Sequence, residues 1–404
     1  MSTHYIVNNL RLTLNEYKAP TRKEKMFNKS AFVISVTLII SACGESDSPN
    51  NAITTAIGQF KDSNTAGISY ISGNQSGVTG SDGSFTYETG NTITFSLGGI
   101  TLGTSNGKSI ITPVDLVSGS SSSTVEVQNI ARFLMMLDDD GDPSNGINIS
   151  PSVQTTAETW TQIDFSTTDL STELTSIISE AVASDGGTHA LPDASAAKAH
   201  LETTLLCSYA GAYTGTFTGN DNGNFGLLVD VSDGNVKGVA YSTTFDQYIT
   251  LSGTTPISYD QNVTFVSGNT TSGATFDGQF TSVDAITGSW QNSPDSGSFS
   301  GSRIGGAINA AYRFTGNYTG ADFGLFSFDV SNSDNVTGIA YSVAGDESFT
   351  ISGSVSGTTL TASTSTGTAI TGTLNTTSGD LSGTWNDSTE GLSGAFSGSG
   401  CKLN

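Results

Sequence analysis

The last 200 residues of this 404-residue chain repeat themselves. Tyr213-Thr-Gly-Thr-Phe-Thr-Gly219 matches Phe314-Thr-Gly-Asn-Tyr-Thr-Gly320, and Gly238-Val-Ala-Tyr-Ser242 matches Gly338-Ile-Ala-Tyr-Ser342. Gly288-Ser-Trp290 matches Gly383-Thr-Trp385, and Phe299-Ser-Gly-Ser302 matches Phe396-Ser-Gly-Ser399. The offset stays between 95 and 101 residues, so a whole unit is duplicated with small changes in loop length. Each unit contains about eight short alternating runs separated by Gly, Asn, Asp and Ser turns, such as Ser232-Asp-Gly-Asn235. Evenly spaced short strands of this kind fold as an antiparallel meander, closed as a barrel or layered as a sandwich. The alternation puts Tyr213, Gly215 and Phe217 on one face and threonines on the other. A strand spanning an outer membrane needs its apolar face towards lipid over about 9–11 residues. Apolar-in and hydroxyl-out describes a soluble module, and the porin reading is rejected.

The chain ahead of the repeats is of another kind. Gly67-Ile-Ser-Tyr70, Gly83-Ser-Phe-Thr-Tyr87 and Ile93-Thr-Phe-Ser-Leu97 alternate as strands, and Ser81-Asp82-Gly83 reads as a hairpin turn. The run Ser76-Gly-Val-Thr-Gly-Ser-Asp-Gly-Ser-Phe-Thr-Tyr87 resembles small Ig-like or carboxypeptidase-regulatory-like β modules of bacterial surface proteins. That resemblance implies a spacer or stalk. Helical spacing follows: Ile130, Phe133, Leu134 and Leu137 make one apolar stripe, and Leu170, Leu174, Ile177, Ile178 and Ala181 make another. A third helix is predicted after Pro192-Asp193, carrying Ala197, Leu201 and Leu205 up to Cys207. Short helices need a neighbouring layer to bury such stripes. The Gly/Thr-rich units themselves look like β-repeat modules of bacterial lipoproteins, a likeness that brings no specific activity.

The start of the chain supplies a location. Ala31–Ile40 is an apolar run too short to span a bilayer, preceded by Lys29 and followed by Ser41 and Ala42. Ile40-Ser41-Ala42-Cys43 resembles the lipobox of bacterial lipoproteins, in which the cysteine is lipidated and becomes the new amino terminus. With Gly44 after the cysteine, the resemblance implies the outer membrane of a Gram-negative cell and leaves the periplasmic or surface side open. Residues 1–25 are polar, and Met26-Phe-Asn-Lys29 reads as the start of an ordinary signal peptide. Six of the 14 basic residues and two of the 37 acidic ones precede Cys43. The remaining 362 residues therefore carry a net charge near −27, which excludes nucleic acid as a partner. If Cys43 carries lipid, Cys207 and Cys401 remain as an even pair in an oxidising compartment, and a disulfide between them is expected. It would tie the start of the first repeat to the end of the second, which favours two units packed side by side.

Chemistry-bearing motifs are few. Asp138-Asp-Asp-Gly-Asp-Pro-Ser-Asn-Gly-Ile147 follows a predicted helix end, where three aspartates are unfavourable without a positive charge. Asp138, Asp140, Asp142 and Asn145 are candidate ligands for Ca²⁺, against a solvated acidic turn as the alternative. The loop is not an EF-hand, because Pro143 fills the place that needs glycine and no glutamate follows at the twelfth position. Gly103-Thr-Ser105-Asn-Gly107 fits a nucleophile elbow in letters only, since no strand-to-helix turn is expected there. His189 and His200 are the only histidines after Cys43, and they have no metal-ligand spacing. Trp290 and Trp385 hold equivalent repeat positions and are either core aromatics or sugar-stacking platforms. No residue set amounts to a catalytic site.

The expectation is a mainly β chain. It has a leader (1–42), a tether (43–56), a small β-sandwich-like module (57–115), a short-helix region (116–206) and two β units (207–307 and 308–404). It acts as a non-enzymatic binding, adhesion or envelope-scaffold lipoprotein, held to the membrane through Cys43, with an envelope protein or glycan as partner. The other reading is a carbohydrate-active enzyme or sugar-binding accessory module.

Overall fold

The computed structural model describes residues 53–255, 266–304, 310–342, 345 and 347–403. The expected leader, Met26, Cys43 and residues 44–52 of the tether lie outside the described residues.

Each repeat is a closed, eight-stranded, antiparallel up-and-down barrel. The first runs from strand Gly211–Gly219 to strand Asp295–Arg303 and closes where those two pair, with Gly215 opposite Gly301 and Phe217 opposite Phe299. The second runs from Ala310–Gly320 to Leu392–Lys402 and closes with Gly316 opposite Gly398 and Tyr318 opposite Phe396. The period-2 alternation fixes which side chains enter the barrel. In Thr359–Thr364, for example, Leu360 and Ala362 are buried while Thr359 and Thr361 face out. Closure this tight requires glycine where an aromatic ring crosses the wall. A Cβ on Gly288 would lie 2.4 Å from the Phe299 ring, and one on the equivalent Gly383 would lie 2.4 Å from Phe396.

The amino-terminal part builds a three-stranded sheet, a four-stranded sheet and a parallel pair of short strands. Thr55–Phe60 pairs with Ser84–Glu88 and, in parallel, with Ile110–Ile111. Strands Ser69–Ser72, Gln75–Val78, Thr92–Leu97 and Ile100–Asn106 make the second sheet. The turn at Ser81-Asp82-Gly83 is present, with Gly83 at φ +75°, but it is not a hairpin: the strands on its two sides belong to different sheets. Phe85 and Tyr87 leave that turn to join a core with Phe60 and Phe95, and this burial outweighs the local hairpin preference. Among the described residues five α-helices follow: α1 (Val125–Met136), α2 (Pro151–Ala157), α3 (Leu170–Glu173), α4 (Thr175–Asp185) and α5 (Ala194–Tyr209). Ile130, Phe133 and Leu134 of α1, Val153 of α2 and Ile177 of α4 enter the same core as the strands. Strands and helices therefore share one hydrophobic interior.

Helix α5 delivers the chain to the barrels, and its end is heavily fastened. Cys207 is disulfide-bonded to Cys401, with the Cα atoms 5.9 Å apart. Arg313, 3 % exposed, donates to the carbonyls of Cys207, Ser208 and Ala210 and holds the Asp329 carboxylate through two bonds of 2.9 and 3.1 Å. A guanidinium against the last carbonyls of a helix satisfies groups that no residue of the helix can reach. Lys61, also buried, donates to the Leu403 carbonyl at 2.7 Å, so the amino-terminal part grips the end of the second barrel. The barrels lie wall to wall through Ala212, Leu228 and Leu325. Gly226 makes room there for Tyr341, whose ring would be 2.6 Å from a Cβ at that position.

Candidate functional site

The two barrels share a topology and differ inside. The second encloses a cavity of about 600 Å³ open at one end, whereas the corresponding space in the first is about 130 Å³. Ligand pockets generally fall between about 300 and 1,000 Å³, and of these two spaces the second falls in that range. Its walls are apolar: Phe326, Ala340, Ile351, Ala362, Ile370 and Phe396 all line the space. Phe314, Val330, Leu374 and Leu381, all buried, fill the opposite end of the barrel.

Register places different residues at matching positions of the two walls. Phe276 of the first barrel lies opposite Trp290, and the residue in that position of the second, opposite Trp385, is Ile370. The Phe276 ring meets Phe299 edge-on at 6.5 Å and occupies space that the shorter aliphatic side chain leaves open. Both tryptophans are fixed in their walls. Trp385 is 9 % exposed and donates its indole N–H to the Thr319 carbonyl, and Trp290 does the same to Thr218. Each is met edge-on by an aromatic of the first strand, Phe217 or Tyr318. Indoles held in this way are parts of the wall, and both border the cavities.

The mouth of the large cavity is acidic. Asp322, Glu347, Asp387 and Glu390 line it, and no Lys, Arg or His does so among the described residues. Asp322 accepts from the Tyr318 hydroxyl and the Ser342 hydroxyl, each at 3.0 Å. Burial, then the carboxylate beside it, pushes the Tyr318 phenol well above its ordinary range. Asp387 accepts from the amides of Glu390 and Thr389 and from the Thr368 hydroxyl, which together hold its carboxyl below the usual range.

Away from the barrels, the acidic loop after α1 brings Asp138, Asp139 and Asp140 together, with one oxygen of each within 4.8 Å of the others. The expected set was Asp138, Asp140, Asp142 and Asn145. In the structure Asp142 caps Ser144, and the Asn145 amide donates to Asp140. Asp138 is buried and accepts from the Asn148 amide with one oxygen, and apart from the neighbouring Asp140 carboxyl its other oxygen has no hydrogen-bond partner among the described residues. Burial raises its pKa to about 6. A buried orphan oxygen beside two exposed carboxylates fits a hard cation.

Ser63, Asp62 and His200 also meet, but not as a relay. Ser63 Oγ is 3.3 Å and Asp62 Oδ1 is 3.6 Å from the same imidazole atom, Nε2, so no nucleophile–base–orienter chain forms. His189 is buried between the Met136 carbonyl and Asp185 and serves packing. Ser105 of the elbow-like motif lies within strand Ile100–Asn106, far from the geometry that motif requires. Sequence reasoning missed the cavity, the buried arginine at α5 and the buried Lys61-Asp62 pair of residues.

No protein-family model matches the chain, and no curated protein sequence matches it. Among solved structures it is similar to a Trp-to-Ala mutant of the vaccine antigen transferrin binding protein B from Haemophilus parasuis, at 10 % identity and a TM-score of 0.18, covering 47 % of this chain and 76 % of that one. It is also similar to an intact transferrin binding protein B with both lobes, at 10 % identity and a TM-score of 0.17, covering 46 % and 76 %. A third is a protein of unknown function from Nostoc punctiforme, at 6 % identity and a TM-score of 0.15, covering 50 % and 98 %. Likenesses at these scores carry no argument about function.

Proposed function

We propose that this chain is an outer-membrane lipoprotein, anchored through Cys43, that works as a non-enzymatic binding protein and holds a small apolar ligand in its second barrel. The observation that supports this is the hollow interior: a scaffold gains nothing from an unfilled core, because each void forfeits packing energy. The corresponding space in the first barrel is several-fold smaller. Carbohydrate binding finds less support, since both indoles are engaged edge-on and through their N–H groups in the wall.

The neutral fluorescent probe N-phenyl-1-naphthylamine tests the reading. The full chain is expected to bind it saturably with one site. Ile370→Phe, which installs the residue of the first barrel, is expected to weaken binding by at least tenfold while leaving the melting temperature within a few degrees. Wild-type protein that fails to bind the probe or any other apolar molecule would remove the ligand seat.

A further inference from the structure

Charge separates the two barrels as sharply as volume does, and at matched positions. Gln247 lies opposite Ser242 in the first barrel, and Glu347 lies opposite Ser342 in the second. Asn292 and Asp387 likewise hold one register position, two residues after the equivalent tryptophans. The filled barrel thus carries two amides at its mouth where the hollow barrel carries the two isosteric carboxylates. Asp221 and Asp322 are common to both, each accepting from the equivalent serine hydroxyl. The first barrel has Asp295 where the second has Leu392, and the second adds Glu390 from a loop.

The whole chain is acidic, so a count of carboxylates at one place decides nothing. Their placement does. Four converge on the rim of an apolar cavity, and two of those are amides where the cavity is small. The connections at that end, 321–323, 343–346, 365–368 and 388–391, contain no Lys, Arg or His in sequence. Among the described residues that line the cavity there is likewise no cation to offset the four carboxylates. Asp322 and Asp387 are also held in place by hydroxyl and amide donors, so their charge is preorganised.

We propose that the second barrel binds an amphiphilic cation, with an apolar tail or ring system in the cavity and its positive group at the mouth among Asp322, Glu347, Asp387 and Glu390. This rests on the ligand seat proposed above and names its chemistry. An anionic amphiphile such as a fatty acid fits the same volume and is repelled by the rim. A free metal cation has no use for the apolar wall.

Displacement of bound N-phenyl-1-naphthylamine from the full chain distinguishes these cases, using three ligands of one tail: dodecyltrimethylammonium, dodecanol and dodecanoate, all below their aggregation limits. Rim charges exposed to solvent contribute little apiece, so the expected preference of the cation over the alcohol is about tenfold at low salt, shrinking as salt is added. Dodecanoate should be weaker than the alcohol. The double variant Glu347→Gln with Asp387→Asn, which copies the first barrel, is expected to lose most of that preference and keep displacement by dodecanol unchanged. Glu390→Gln, on an exposed loop, provides a second variant that does not disturb the wall. Equal displacement by cation and alcohol, or a preference that survives in both variants, overturns the cationic ligand and leaves the seat standing. Absence of probe binding overturns both.

Discussion

Asp62 is 0 % exposed, neither of its oxygens has a hydrogen-bond partner among the described residues, and the one nearby base is His200 at 3.6 Å. Burial pushes its pKa from 3.8 to about 6, with His200 acting in the opposite sense. Between those values the folded chain keeps a proton that the unfolded chain has released. Stability from this group is complete below the unfolded value and is lost as pH rises towards 6. The loss is at most about 3 kcal/mol. Asp62→Asn should therefore be more stable than the parent at pH 7 and nearly equal to it at pH 4, as read by thermal melts. A difference between the two proteins that does not change with pH would contradict the buried carboxylate. Lys61 beside it has the reverse sign: burial first, and then Arg313, lower it to about 7, so stability rises as pH goes above 7 towards 10.5. Neither burial is legible in the sequence, where Lys61-Asp62-Ser63-Asn64 is a run of four polar residues. The same is true of Ile370, whose repeat partner Phe276 is identified only by strand pairing.

Elements with a strong period were visible, and those without one were not. Helix α1 follows from Ile130, Phe133 and Leu134, and α5 from Ala197, Leu201 and Leu205. Helix α2 was missed because only Val153 and Ala157 of its seven residues are buried. Two of its threonines, Thr155 and Thr156, hydrogen-bond back to carbonyls four residues earlier, which is poor helix chemistry. The element most exposed to disruption is the end of α5, where Arg313 is the common partner of helix and barrel. Arg313→Met removes the guanidinium that binds both the buried Asp329 carboxylate and the end of α5, and should cost about 3–5 kcal/mol in urea unfolding. Adding Asp329→Leu should restore a large part of that, whereas no recovery would mean that the carbonyl bonds matter more than the ion pair. At the end of α1, millimolar Ca²⁺ is expected to raise the melting temperature through Asp138, Asp139 and Asp140. Asp138→Asn should abolish that rise; calorimetry without heat and a melt without a shift would remove the site.

At the scale of the molecule, the repeat in the sequence pointed to two similar β units of about eight strands, barrel or sandwich, which the structure closes as barrels, and the cysteine count pointed to the Cys207–Cys401 disulfide that joins them. What the repeat concealed is that duplication allowed the copies to diverge inside. One barrel holds a space of about 130 Å³, and the other a cavity of about 600 Å³ with an acidic mouth. In the proposed arrangement Cys43 keeps both near a membrane; Cys43→Ser should move the protein from the membrane fraction to the soluble one, and continued sedimentation with membranes would count against the anchor. The hollow second barrel is the central claim, and the chain carries a convenient set of reporters for it, since it contains only three tryptophans, Trp160, Trp290 and Trp385. Trp160 belongs to the amino-terminal core, Trp290 to the filled barrel and Trp385 to the hollow one. With all three replaced by 5-fluorotryptophan, fluorine NMR during titration with a dodecyl amphiphile should move the Trp385 resonance to saturation and leave the other two in place. Three unmoved resonances, or a shift confined to Trp290 or Trp160, would contradict it.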